Sequence, residues 1–165
     1  MVMRGSRAAL LLMLMLAVSG CASKFKRYGG PEVTQVLVFK EQRRMYLMHH
    51  DAVLKAYAVD LGYAPEGHKL MTGDGRTPEG NYVIDRRNPN SDFHLSIGVS
   101  YPNVTDVEVA RALNLDPGGD IFIHGEGERR NRPRDWTAGC IAVTNGEIED
   151  IYAMVRDGTR IDILP

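Results

Sequence analysis

What most limits the fold of this chain is a succession of short apolar runs that begins at Val33. VTQVLVFK, RMYLM and VLKAYAVDLG are rich in Val, Leu, Tyr and Phe, and charged turns separate them. Such runs read as strands joined in hairpins, and further strands are expected at Asn81–Asp85 and Arg160–Leu164. From Phe93 to Ser100 the residues alternate. Phe93, Leu95, Ile97 and Val99 share one face; His94, Ser96, Gly98 and Ser100 share the other. Capping and periodicity predict two helices. Thr105 and Glu108 frame a capping box for a helix running to about Leu115, where Asp116-Pro117-Gly118-Gly119 stops it. The second opens near Asn145 and runs to about Arg156, with Ile148, Ile151, Tyr152 and Val155 on one face and Gly158 as its stop. The expectation is a single, mainly β domain with two helices.

Residues 1–20 stand outside this pattern. Arg4 and Arg7 precede an eleven-residue apolar run, Ala8–Val18. A membrane-spanning helix needs about 20 residues, so the run reads as a secretory signal. Its end, Val18-Ser19-Gly20-Cys21, resembles a bacterial lipobox. In that pattern Cys21 is lipidated and becomes the new N-terminus, and Ala22 in second place favours the outer membrane, facing the periplasm. Residues 21–32, with Lys24, Lys26, Arg27, Gly29 and Gly30, read as a tether, and 33–165 as the folded domain. Without the leader the 20 basic residues fall to 18 against 21 acidic ones, a net charge of about −3. Nothing in that balance suggests a nucleic-acid partner.

With Cys21 assigned to lipid, Cys140 has no partner for an internal disulfide, and an unpaired thiol in an exported chain is a candidate reactive group. His124 ends one apolar run and Cys140 opens another sixteen positions later. Between them lie Arg129, Arg130, Arg132, Arg134, Asp135 and Trp136. A thiol is a poor nucleophile while protonated, and an imidazole can take its proton and return it. Flanking strands would hold the two within hydrogen-bond reach. His49, His50 and Asp51 fall at a turn, without zinc-motif spacing, so no metal is assigned, and no organic cofactor is indicated.

His124-Gly125, followed by Thr137-Ala138-Gly139-Cys140-Ile141, resembles the H-G…[S/T]-x-G-C-[I/V] signature of the L,D-transpeptidase catalytic domain family (YkuD type). These are cysteine enzymes that act on peptidoglycan stem peptides. GDGRTPEGNYVID (Gly73–Asp85) and FHLSIGVSYPN (Phe93–Asn103) resemble two more family segments in the same order. The resemblance covers most of the chain from Val33 and implies a β-sandwich-like catalytic fold. It implies Cys140 as nucleophile and His124 as base. Backbone N–H groups around Gly139 and Cys140 would receive the oxyanion, with support from Thr137 and Gly125. Substrate contacts are implied for His94, Arg76 and Arg132. Glu126, Glu128, Asp135 or a backbone carbonyl would orient the imidazole, and Trp136 would anchor the loop.

Two positions depart from the common S-H-G-C-x-R form: Ala138 replaces the second His and Ala142 the Arg. DWTAGCIAVTN, with EIEDIY after it, resembles a divergent branch of bacterial enzymes that includes the YafK/DpaA-like proteins, which hydrolyse the bond tying an outer-membrane lipoprotein to diaminopimelate. Three readings stay open here. They are a transpeptidase forming or exchanging cross-links, an amidase releasing bound lipoprotein or cleaving cross-links, and a non-catalytic lipid-anchored peptidoglycan-binding protein.

Overall fold

The computed structural model describes residues 23–128 and 132–165. Eight strands form in chain order: β1 (Gln35–Phe39), β2 (Arg44–His49), β3 (Ala52–Ala58), β4 (Gly80–Asn88), β5 (Ser96–Val99), β6 (Phe122–His124), β7 (Ile141–Ala142) and β8 (Arg160–Leu164). They hydrogen-bond in the order β3-β2-β1-β8-β4-β5-β6-β7. All neighbours are antiparallel except β1 with β8 and β6 with β7.

β4 bends the sheet. Gly80–Val83 pair with β8, the register shifts between Ile84 and Arg86, and the remainder pairs with β5. Irregularities of this kind turn a strand from one sheet direction to another. The chain leaving β3 then ties the far edge back. Asp60 and Ala142 exchange backbone hydrogen bonds of 2.9 and 2.8 Å, and Thr137 N–H donates to Leu61 O at 3.1 Å while Tyr63 N–H donates to Thr137 O at 2.9 Å. The result is a curled sheet whose inner residues form one core. Val36, Val38, Met45, Leu47, Ile161 and Ile163 meet Ile97, Ile123 and Ile141 there.

Two helices cover this sheet, α1 (Val104–Ala112) and α2 (Asn145–Met154). The capping box of α1 lies earlier than the sequence pattern indicates. Asn103 Oδ1 accepts from Asp106 N–H at 3.0 Å, and Asp106 Oδ2 accepts from Asn103 N–H at 2.8 Å. Asn is as good a cap as Thr, so the pattern alone does not decide between the two registers. At α2, Thr144 and Glu147 form the box, and Ile148, Ile151 and Met154 face the core. The last turn of α2 carries no basic residue of its own. Arg87 of β4 supplies one, donating to Val155 O at 2.6 Å and to Tyr152 O, with its guanidinium 3.8 Å from the Tyr152 ring centroid. A cation there satisfies carbonyls that a helix end leaves open.

The segment that reads as a tether is laid against the domain from Ser23 onward. Lys24 Nζ donates to Pro89 O at 2.7 Å and His94 O at 3.0 Å, and Lys26 pairs with Asp150 at 2.7 Å on α2. Lys24 and Lys26, which suggested a solvated linker, find carbonyls and carboxylates on the domain surface. Cys21 and the leader lie outside the described residues.

Candidate active site

The site is built on two adjacent cross-strand rows. In one, Asn88 of β4 pairs with Ser96 of β5, Ser96 with His124 of β6, and His124 with Ala142 of β7. In the other, Arg86 pairs with Gly98 and Gly98 with Phe122. Cys140 immediately precedes β7. Asn88, Ser96, Phe122, His124 and Cys140, with Ser91, Asp92, Phe93 and Asp120, enclose a cavity of about 260 Å³. The two residues separated by sixteen positions in the sequence thus face one space.

His124 is buried, 3 % exposed. Its Nδ1 lies 2.7 Å from Gly125 O, and a carbonyl only accepts, so Nδ1 carries the proton and Nε2 keeps its lone pair. Of the candidates for orienting this imidazole, the backbone carbonyl does so. Asp135 is committed elsewhere: its carboxylate receives Arg43 at 2.9 Å and Leu61 N–H at 3.0 Å. Phe93 stacks on the imidazole at 4.5 Å between centroids, and Trp136 approaches edge-on at 5.5 Å. Arg132 lies 3.8 Å from the Trp136 ring centroid and donates to Glu126 O at 3.2 Å. Its Nε is buried without a hydrogen-bond partner among the described residues. Burial pushes the His124 pKa below the ordinary histidine value; the Gly125 carbonyl opposes this and the Arg132 charge adds to it.

The Cys140 thiol donates to Asp120 O at 3.5 Å. Burial raises its pKa, the Phe122 backbone N–H partly offsetting this and the Asp120 charge adding to it. The two shifts run in opposite directions and favour a neutral thiol beside a neutral imidazole. Such a pair works by proton transfer during attack and has no need of a standing thiolate.

Thr137 shapes the turn that carries the thiol. Its hydroxyl accepts from Gly139 N–H at 3.1 Å and donates to Cys140 O at 2.7 Å. The Gly139 N–H is therefore bound within the turn, and the Cys140 N–H is the other backbone donor there that was expected to receive an oxyanion. What the turn requires of Gly139 is shape. Its φ is +138°, and a Cβ there would lie 2.7 Å from Arg76 O. Gly125 is constrained in a similar way, since a Cβ would lie 2.6 Å from Asn145 Oδ1 and 2.8 Å from Phe93 O.

None of the three expected substrate contacts, His94, Arg76 and Arg132, lines the thiol cavity. The alternation from Phe93 breaks at His94, whose φ is +76°. Leu95 N–H turns back to Phe93 O at 3.0 Å, so His94 leaves the face that Ser96 and Gly98 occupy. Its Nε2 meets Glu149 at 2.8 Å, and it lines a neighbouring, more open space with Lys24, Arg132 and Asn145. Arg76 turns its guanidinium to His68 O at 3.4 Å, while its carbonyl abuts Gly139. The loop bearing Arg76 is ordered by a buried pair: Lys69 meets Asp74 at 2.9 Å. Burial raises the Asp74 pKa, but Lys69 and the N–H groups of Leu70, Arg76 and Met71 outweigh it and hold it at about 2. Of the loop arginines, Arg129 and Arg130 lie outside the described residues.

Asn145 is a further contributor that the sequence reading passed over. Its Oδ1 accepts from Glu126 and Gly127 N–H at 2.9 and 3.0 Å, and its Nδ2 donates to Gly127 O at 2.8 Å. It fixes the chain directly after His124 and Gly125. The visible signal was its place at the first turn of α2, where an Asn side chain is free to bond neighbouring backbone.

Residues 34–163 match the family described as the L,D-transpeptidase catalytic domain, YkuD. A protein of Escherichia coli (strain K12) named as a candidate L,D-transpeptidase, YafK, is 29% identical over 133 residues, covering 77% of this chain and 48% of that one. The chain thus spans about half the length of that relative. Its fold is similar to the helical cell shape determining protein Pgp2 from Campylobacter jejuni, with a TM-score of 0.64, 26% identity, and 82% and 49% of the two chains covered. L,D-transpeptidase 1 of Mycobacterium tuberculosis shares the fold at a TM-score of 0.53 and 12% identity, covering 81% of this chain and 62% of that one. With the matched segment running from before β1 into β8 and containing both His124 and Cys140, the chain belongs to the L,D-transpeptidase catalytic domain family.

Proposed function

We propose that this chain is a peptidoglycan-modifying cysteine acyl-transfer enzyme that acts at diaminopimelate in stem peptides and forms or exchanges cross-links. The observation that carries the reading is the single cavity shared by Cys140 and His124, with the imidazole tautomer set so that Nε2 is free. In this mechanism Nε2 takes the Cys140 proton as the sulfur adds to the substrate carbonyl. The N–H of Cys140 is the candidate oxyanion donor of the turn, because that of Gly139 is held by Thr137. Collapse of the tetrahedral species breaks the peptide C–N bond, and His124 returns its proton to the departing amine. A thioester on Cys140 remains. An amine or water then attacks it, again giving its proton to His124, and the thiol is released.

A hydrolytic outcome, releasing bound lipoprotein or cleaving cross-links, shares every step up to the acceptor. Ala138 and Ala142, in place of the family's second His and Arg, favour keeping it as the second reading. We also infer a periplasmic enzyme held to the outer membrane by lipid on Cys21; the leader and lipobox-like ending support this.

The test uses the full chain, wild type and Cys140→Ala, on sacculi with and without attached lipoprotein, with products read by mass spectrometry. New diaminopimelate bridges or exchanged terminal residues in the wild type alone are the expected result. Cysteine-dependent release of lipoprotein or loss of bridges would assign the hydrolase. Identical products from the two proteins would count against catalysis and leave a binding protein.

A further inference from the structure

Among the described residues, those lining the thiol cavity include no Lys or Arg, and the position where the family's common motif places an Arg is Ala142. A carboxylate entering beside Cys140 therefore needs a cation from outside that lining. Arg86 is placed to supply it. It stands in the same cross-strand row as Gly98 and Phe122. A Cβ on Gly98 would lie 2.4 Å from Arg86 Cγ and 2.6 Å from Asp85 Oδ1, so glycine there lets the arginine stem cross β5. The guanidinium reaches the Phe122 ring, 4.4 Å from its centroid, and that ring forms part of the cavity wall.

Beyond Phe122 the guanidinium meets Asp120. The Nη2–Oδ1 distance is 3.4 Å, long for a charge-assisted hydrogen bond. The Asp120 side chain is 94 % exposed, and its residue adopts a φ of +55°. Its carbonyl is the one that receives the Cys140 thiol. Nη1 is held by both carboxylate oxygens of Asp85 at 2.9 Å. The guanidinium is thus steadied on one side while a loosely engaged Arg–Asp pair faces the mouth of the cavity.

We propose that Arg86 and Asp120 form a subsite for a free amino-acid end, its carboxylate on Arg86 and its ammonium on Asp120. The proposal rests on the acyl-transfer reading, in which the diaminopimelate side chain presents such an end a few bonds from the attacked carbonyl. The charges of both residues also act on the Cys140 sulfur, in opposite directions, which agrees with their position beside it.

The test measures binding without turnover. Dissociation constants are taken by calorimetry on the full chain carrying Cys140→Ala, with three short stem-type peptides. One has a free amino-acid end, one has that carboxylate amidated, and one has that amine acetylated. The free end should bind about tenfold or more tightly than either blocked peptide, as expected for one charge-assisted hydrogen bond. Adding Arg86→Gln should erase the penalty for amidation and keep the penalty for acetylation, and Asp120→Asn should do the reverse. Asn tolerates positive φ, so Asp120→Asn keeps the turn, and Arg86→Lys should retain part of the carboxylate preference. Equal binding of the three peptides, a uniform loss on Arg86→Gln, or no binding by any of them would overturn the subsite. If the crossed pattern appears while the cysteine form modifies no sacculi, the subsite stands and the acyl-transfer reading falls. Turnover without discrimination between the ends would overturn the subsite alone.

Discussion

The half of the sheet made by β3, β2, β1 and β8 and the half made by β5, β6 and β7 are held together by different means. In the first, β1 pairs with β2 over five positions on one side and with β8 over five on the other. Its buried side chains alternate along β1, as a half-buried strand requires. In the second, β6 pairs with β7 over two positions only. Its precision comes from groups outside the ladder: the Thr137 hydroxyl, the Asn145 amide, the Asp60–Ala142 exchange and the close backbone approach at Gly139. The first half supplies stability and the second supplies placement, so the two should respond separately to mutation.

The largest effect on stability should come from the first half. Leu47→Ala removes a fully buried side chain of β2 that lines no part of the thiol cavity, and should cost about 2–5 kcal/mol in chemical denaturation. The alkylation rate of Cys140 in the native state should hardly change. A fall in that rate comparable to the loss of stability would show that the two halves are coupled.

Gly139→Ala strikes the second half. The new Cβ meets Arg76 O, so the turn must shift, and kcat/KM should fall about 100-fold, the scale of an ångström-sized misplacement. Full activity in this variant would mean that the turn has more freedom than its contacts suggest. Thr137→Val should do less. It leaves Gly139 N–H and Cys140 O without their shared partner, costing about 1–2 kcal/mol in stability, with activity reduced about tenfold.

The smallest test concerns charge alone. Imidazole must be neutral to act as base, so kcat/KM should rise with pH through the His124 pKa, at a point below the ordinary histidine value. The Arg132 guanidinium disfavours imidazolium. Arg132→Gln should therefore move this acid limb to higher pH, and a limb that stays in place would remove Arg132 from the electrostatics of the site.

Much of this division was legible before any coordinates. Strands β1, β2, β3 and β8 follow from apolar runs, and α2 from near Asn145 follows from its Ile148–Ile151 face. His124 and Cys140 were visible because each ends or begins an apolar run. Their neighbours were harder to read, because the contacts that matter there are not periodic. His94 fits a strand pattern, yet its backbone adopts positive φ, which alternation cannot reveal. The need for glycine at Gly139 comes from its positive φ and the nearby Arg76 carbonyl, neither of which a motif displays. Ser96 and Asn88 come into the cavity through register across β4, β5 and β6, and register depends on the slip between Ile84 and Arg86. The docking of Lys24 depends on where the turn after β4 leaves the Pro89 and His94 carbonyls, and that of Lys26 on where α2 places Asp150.

The position of β8 bears on how the molecule is made. The last strand of the chain lies between β1 and β4, in the interior of the sheet, and pairs with the first strand in parallel. Pairing of strands so far apart in sequence is slow, because the whole intervening chain must be enclosed before the contact forms. A nascent polypeptide that stops short of Arg160 has β1 and β4 but nothing to join them. Until β8 has been made, the two ends of the sheet have no common strand, and the core is assembled only after residues 35–164 are all present.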